Sequence, residues 1–241
     1  MPTRREQKRA KHEAKRKEKR KEAARQSAPR SLKSLLTTAL NWPVAECWAN
    51  KDWKDSTKLN QVVVARRNPA TGEIYAGMYL VDRACLGVKD AYAANFASMT
   101  NFHRELIDKV KQRQGMTKVD FNLAAAIVKA GLEYAASLDL HPHRDYREAS
   151  ILLRDAEPDA LVPTVPVGGP EGKPFFVAGP YDNTERIMAH LMRRLGPEGF
   201  HYLMPMGPDM EFMDMDEEEF EDWEIVEPDD DGVIDVESRE I

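Results

Sequence analysis

Cysteine is nearly absent from this chain: Cys47 and Cys85 are the only two in 241 residues. Two unpatterned thiols build neither a disulfide framework nor a cysteine-based zinc site, so a reducing, cytoplasmic setting is expected. Long apolar runs are missing too. No stretch approaches the roughly 18–20 apolar residues of a membrane-spanning helix. The first thirty residues lack the apolar segment of a secretory signal, and no membrane contact is expected. Catalytic signatures are also lacking. No G-x-S-x-G, H-E-x-x-H, phosphate-loop or dinucleotide pattern occurs. No cofactor is therefore expected, and a binding protein is favoured over an enzyme.

Charge, by contrast, is plentiful and segregated. Charged residues make up 32% of the chain, and the net charge of −6 conceals two opposed ends. Residues 1–30 carry 13 Lys/Arg against 4 Glu, and residues 207–241 carry 17 Asp/Glu against the single Arg239. The intervening residues 31–206 hold 21 basic and 20 acidic side chains and are almost neutral. Three parts follow: a basic arm (1–30), a globular domain (31–206) and an acidic tail (207–241), expected to be disordered.

Within the arm, residues 3–26 contain no glycine, proline or aromatic residue. Strong helix formers and pairs such as Glu13 with Lys17 suit a helix, but no apolar stripe exists to bury it, so the arm is expected helical or disordered. Its cations suit a polyanion. Arg4, Arg5, Lys8, Arg9, Lys11, Lys15, Arg16, Lys17, Lys19, Arg20, Lys21 and Arg25 are the candidate contacts to the phosphates of RNA, DNA or the ribosome. Without aromatics the arm cannot stack on bases, so it would position a strand without reading its sequence. The tail interleaves its acids with Phe212, Met213, Met215, Phe220, Trp223, Ile225 and Val226, a pattern of partner-binding segments. It would dock on a basic protein partner or fold back on the arm as a mimic of nucleic acid.

The middle of the chain mixes two periodicities. SLKSLLTTAL predicts a helix over 31–40 that stops before Trp42-Pro43, and Pro43 suits the first position of a second helix through PVAECWANKDW. LNQVVVARR and IYAGMYLVD alternate about an NPATGE turn and predict a hairpin over 59–82. Helices are then expected from Val81 through LVDRACLGVKDAY, from Thr100 to Gly115, over 118–140, over 147–156 and over 184–196. Short strands are expected at 175–178 and 200–204. The fold class is α+β: a small, mainly antiparallel sheet packed with five to six helices.

Three places invite chemistry. In LVDRACLGVKDAY, Cys85 has Asp82 and Lys89 as neighbours and is a candidate nucleophile. Helical spacing instead lines it up with Val81, Ala84, Val88, Ala91 and Tyr92, with Arg83 and Asp90 facing outward, which makes it a small core residue. HPHRDY offers His141, His143 and Asp145 as candidate metal ligands or as the site of a hydrolase or nuclease. Asp145 and Glu148 also have the spacing of a capping box, the structural alternative. In AGPYDNTERIM, Asp182 precedes Glu185 by three residues, a further helix-start signal.

The segments MYLVDRACLGVKDAY, GLEYAASLDLHPHRDY and GKPFFVAGPYDN resemble recurring segments of an uncharacterised family of bacterial proteins. The resemblance spans about residues 42–205 and departs at Asp139, where the family pattern has glycine. It implies one domain and a bacterial source, and brings no activity with it. Three functions remain open: a nucleic-acid- or ribosome-associated binding protein, a hydrolase or nuclease at His141, His143 and Asp145, and a protein–protein adaptor in a multi-gene bacterial system.

Overall fold

A computed structural model describes residues 31–159 and 164–203. Residues 31–35 belong to one compact unit and residues 36–203 to a second. Helix α1, Leu32–Ala39, runs across that boundary and buries Leu36 and Ala39. The basic arm, the acidic tail and every candidate contact on the arm lie outside the described residues.

The second unit is α+β. Strands β1 (Val44–Asn50), β2 (Asn60–Arg67), β3 (Ile74–Asp82) and β4 (Gly87–Phe96) form an antiparallel meander. A short β5 (Met116–Val119) joins it on the free edge of β1, giving the order β4-β3-β2-β1-β5. Side chains alternate across strands, so each strand serves two cores. Cys47, Ala49, Val62, Val64, Tyr79 and Val81 meet α3 (Phe121–Ser137) on one face. Trp48, Val63, Ala65, Ala76 and Met78 meet α2 on the other. Here α2 denotes three consecutive segments, Met99–Phe102, a π turn His103–Ile107, and Asp108–Arg113.

Helix α3 lies close to the sheet because most of its buried positions are small, among them Ala124, Ala125, Ala126 and Gly131. A Cβ on Gly131 would fall 2.5 Å from Val81 Cγ1, so any larger residue would force Val81 or the helix to shift. The helix ends in a Schellman arrangement. Leu140 N–H donates to the Ala135 carbonyl, Asp139 N–H donates to Ala136, and Asp139 takes φ 58°. Asp139 thus occupies the left-handed position that glycine usually fills. Beyond it come the short helix α4 (Tyr146–Ala149) and a 3₁₀ turn, Ser150–Leu153. Strand β6 (Phe175–Val177), helix α5 (Thr184–Leu195) and strand β7 (His201–Leu203) close the described chain, β6 and β7 pairing in parallel as a separate two-stranded sheet.

The hairpin over 59–82 and the helices over 31–40, 118–140 and 184–196 form where expected, α3 beginning after β5. The stretch 43–53 corrects to strand β1. Its Glu46/Trp48 and Cys47/Ala49 pairs alternate, and proline is equally at home before a first strand residue. LVDRACLGVKDAY corrects from a helix to the β3–β4 hairpin. The Asp82 carboxylate, not a helical carbonyl, accepts from the N–H groups of Ala84, Cys85 and Leu86 at 2.9, 3.0 and 3.2 Å. Gly87 completes the turn at φ +73°. Arg83, expected to face outward, is fully buried, and Tyr92, expected on the apolar face, is exposed. The helix expected over 147–156 shortens to α4 and its 3₁₀ turn. Asp145 makes no side-chain cap there, which removes the capping box. On α5 the cap is Asn183, accepting from Arg186 N–H at 3.1 Å, and Asp182 turns to Lys89 instead.

Candidate functional site

Residues of LVDRACLGVKDAY, GLEYAASLDLHPHRDY and GKPFFVAGPYDN meet in space. Cys85 and Leu86, then Ala135, Leu138 and Leu140, then Phe176 and Ala178, share one apolar cluster with Ile187, Leu191 and Phe200. Lys89 and Asp182 seal its margin as an ion pair of 2.5 Å whose side chains are 10% and 5% exposed. Asp182 also accepts from Gly179 N–H at 2.7 Å. Cys85 is wholly enclosed here. Burial first, then the nearby Asp82 carboxylate, pushes its thiol well up, so the nucleophilic thiolate is suppressed.

HPHRDY does not gather its groups. His141 and Asp145 are exposed while His143 is buried. His143 N–H donates to the Val88 carbonyl, its Nδ1 accepts from Asp145 N–H at 3.3 Å, and the same nitrogen lies 3.8 Å from an Asp90 carboxylate oxygen. His143 is fastened to β4 through its backbone N–H and to its own turn through its ring. Among the described residues, no group of three or more His, Cys, Asp or Glu is arranged to hold a metal ion.

A groove of about 870 Å³ opens among Asn41, Trp42, Phe121, Asn122 and Asp155, with Arg66 among its lining. A buried arginine in a groove suggests an anion site, but its donors are spent. Nε and Nη2 donate to the Leu152 carbonyl, Nη1 to those of Leu40 and Trp42, and Nη2 also to the Asp155 carboxylate. All five N–H groups of the guanidinium are thereby occupied, and Phe121 covers it with its ring centroid 5.2 Å from Cζ. This arginine ties the segment between α1 and β1, strand β2 and the 3₁₀ turn together. A smaller groove of about 350 Å³ continues past Val44 to Glu46, Cys47, Lys118 and Asp120. Cys47 is buried there and its thiol is pushed up to about 12, chiefly by burial.

Beside that smaller groove lies a charged cluster that sequence reasoning missed. Glu46 and Trp48 point to the same side of β1. The indole N–H of Trp48 donates to Glu46 Oε2 at 3.0 Å, His103 Nε2 meets the same oxygen at 2.9 Å, and Lys118 Nζ reaches Oε1 at 2.5 Å. Burial alone would raise the Glu46 carboxyl. The hydrogen bonds from Lys118 and Trp48, with the charge of His103, outweigh it and hold the carboxyl below its ordinary value. Lys111 Nζ stands 4.0 Å from the Trp48 ring centroid and Lys118 Nζ stands 5.3 Å from it. In the sequence, the E-x-W alternation sets Glu46 and Trp48 on one side of a strand and so marks only that part of the cluster.

The chain matches no protein-family model, no curated protein and no solved structure. Among the described residues no helix is long and apolar enough to cross a membrane.

Proposed function

We propose that this chain is a nucleic-acid-binding protein that holds phosphates through its basic arm, with the acidic tail regulating that contact or docking a partner. The observation that carries this reading is the segregation of charge: 13 Lys/Arg against 4 Glu in residues 1–30, and 17 Asp/Glu in residues 207–241, about a nearly neutral domain. Multiple phosphate contacts from one short cationic segment give affinity that falls steeply with salt and little discrimination among bases. A bacterial, cytoplasmic setting with RNA, DNA or the ribosome as partner belongs to the same proposal.

The placement of its residues counts against the hydrolase alternative. The hydrolase alternative needs His141, His143 and Asp145, with Cys85 as a further candidate, to converge in one cleft. Instead Cys85 is enclosed, His143 is buried and tied to backbone, and His141 is exposed alone. The test is fluorescence anisotropy of a 20-nucleotide oligouridylate with the full chain and with a full chain whose twelve arm cations, Arg4 to Arg25, are glutamine. The proposal predicts that the substituted chain loses at least about a hundredfold in affinity near 0.1 M salt. Equal affinity of the two chains would refute it.

A further inference from the structure

We infer that the folded domain supplies a second phosphate contact for the same nucleic acid, at the corner where His103, Lys111 and Lys118 surround Trp48. The inference rests on the nucleic-acid reading above and locates part of that interface on described residues. Its first support is the π turn. An α-helix advances about 100° per residue, so the eight residues from His103 to Lys111 would leave them about 80° apart. A π turn acts as a one-residue insertion, takes up about 100° of that advance, and brings the two within about 20° of one face. The irregularity therefore places an imidazole and an ammonium group on the same indole. Such insertions recur at functional sites because they re-aim side chains at a cost in helix regularity.

The second support is the imbalance of charge. Glu46 is the one carboxylate within ion-pair distance among the described residues of the cluster, and it serves both His103 and Lys118. Glu105, on the same helix, is occupied by Arg104 at 2.9 Å. Lys111 has no carboxylate partner among the described residues, is exposed, and rests its ammonium on the Trp48 ring. Lys109 and Arg113 are exposed on the same helix. Two ammonium groups over one ring, of which only Lys118 pairs with Glu46, leave net positive charge at Lys111, and a phosphodiester oxygen is the anion that offsets it without competing for the buried indole. Trp48 itself is only 6% exposed, so it orients the lysines and does not stack on a base. The contact is accordingly indifferent to base sequence, like that of the arm.

The experiment titrates the same 20-nucleotide oligouridylate into the full chain, the full-chain Lys111→Glu variant, and a Arg147→Glu control. Arg147 is exposed on α4, whose Ala149 packs on the opposite sheet face. Circular dichroism confirms that each variant is folded. The indole N–H resonance of Trp48, identified with a Trp48→Phe chain, reports the site itself. The inference predicts that the oligonucleotide shifts this resonance, and that Lys111→Glu weakens binding and lowers the slope of log K against log salt by about 0.7, the share of one single-strand phosphate contact. Arg147→Glu leaves both unchanged. An unmoved indole resonance with an unchanged slope for Lys111→Glu overturns the inference while leaving arm binding intact. Absence of any binding by the unmodified chain overturns the nucleic-acid reading as well.

Discussion

Arg66 and Arg83 are both fully buried and solve the same problem differently. Arg66 satisfies all five donors, including one on Asp155, whereas Arg83 donates to the carbonyls of Trp53, Asp55 and Pro166 and leaves its Nε without a partner among the described residues. Each pins loops to the sheet and neither is available to a ligand. The two cysteines are equally withdrawn. Because both thiols are buried and raised in pKa, a thiol-reactive disulfide reagent near pH 8 should find no thiol in the native chain and both after denaturation. Fast reaction of one thiol in the native state would return Cys85 to contention as a nucleophile. Glu46 makes a prediction in acid. Its carboxyl lies below the ordinary value of 4.5 when folded. A depressed folded pKa stabilises the native state above the unfolded value, and that contribution fades as pH falls through the folded one. Urea melts should therefore show the stability advantage of the native chain over Glu46→Gln holding from near pH 7 to about pH 5 and shrinking below 4.5. A difference that stays flat down to about pH 3 would separate Glu46 from the stabilising role assigned to it.

At the scale of elements, helix α3 and the β3–β4 hairpin are fitted to one another through glycine. Replacing Gly131 with alanine raises helix propensity by about 1 kcal/mol. The added Cβ, however, would meet Val81 Cγ1 at 2.5 Å. Overpacking of this kind costs about 1–3 kcal/mol, so Gly131→Ala should lower the melting temperature. A rise would mean that the helix can withdraw from the sheet. These elements also show what sequence reveals. The β2–β3 hairpin was legible because NPATGE separates two alternating runs, and α3 because its apolar residues keep helical spacing over several turns. Strand β1 was not legible, since the seven residues of VAECWAN are too few to separate the two periods. The β3–β4 turn was hidden because Asp82 supplies from its side chain the acceptor that a helix would take from its backbone. Of the site, the arm's cations could be read directly. The cluster about Trp48 could not, because Glu46, His103, Lys111 and Lys118 are distant in sequence and converge only through β1, β5 and the π turn.

For the whole molecule, opposite charges at the two ends make self-association of arm and tail a competitor to any polyanion. If the tail shields the arm, deleting residues 207–241 should strengthen oligonucleotide binding at fixed salt, with the gain shrinking as salt rises and screens both contacts. Unchanged affinity would leave the tail to a separate protein partner. The central claim, that the arm binds phosphates, is tested most directly by the salt dependence of oligouridylate binding to the full chain. Residues 1–30 carry a net excess of nine cations. If all engage, log K should fall against log salt with a slope of about −6, and neutralising the twelve arm cations should remove most of it. A slope near zero, or one that survives the loss of those cations, would contradict the account.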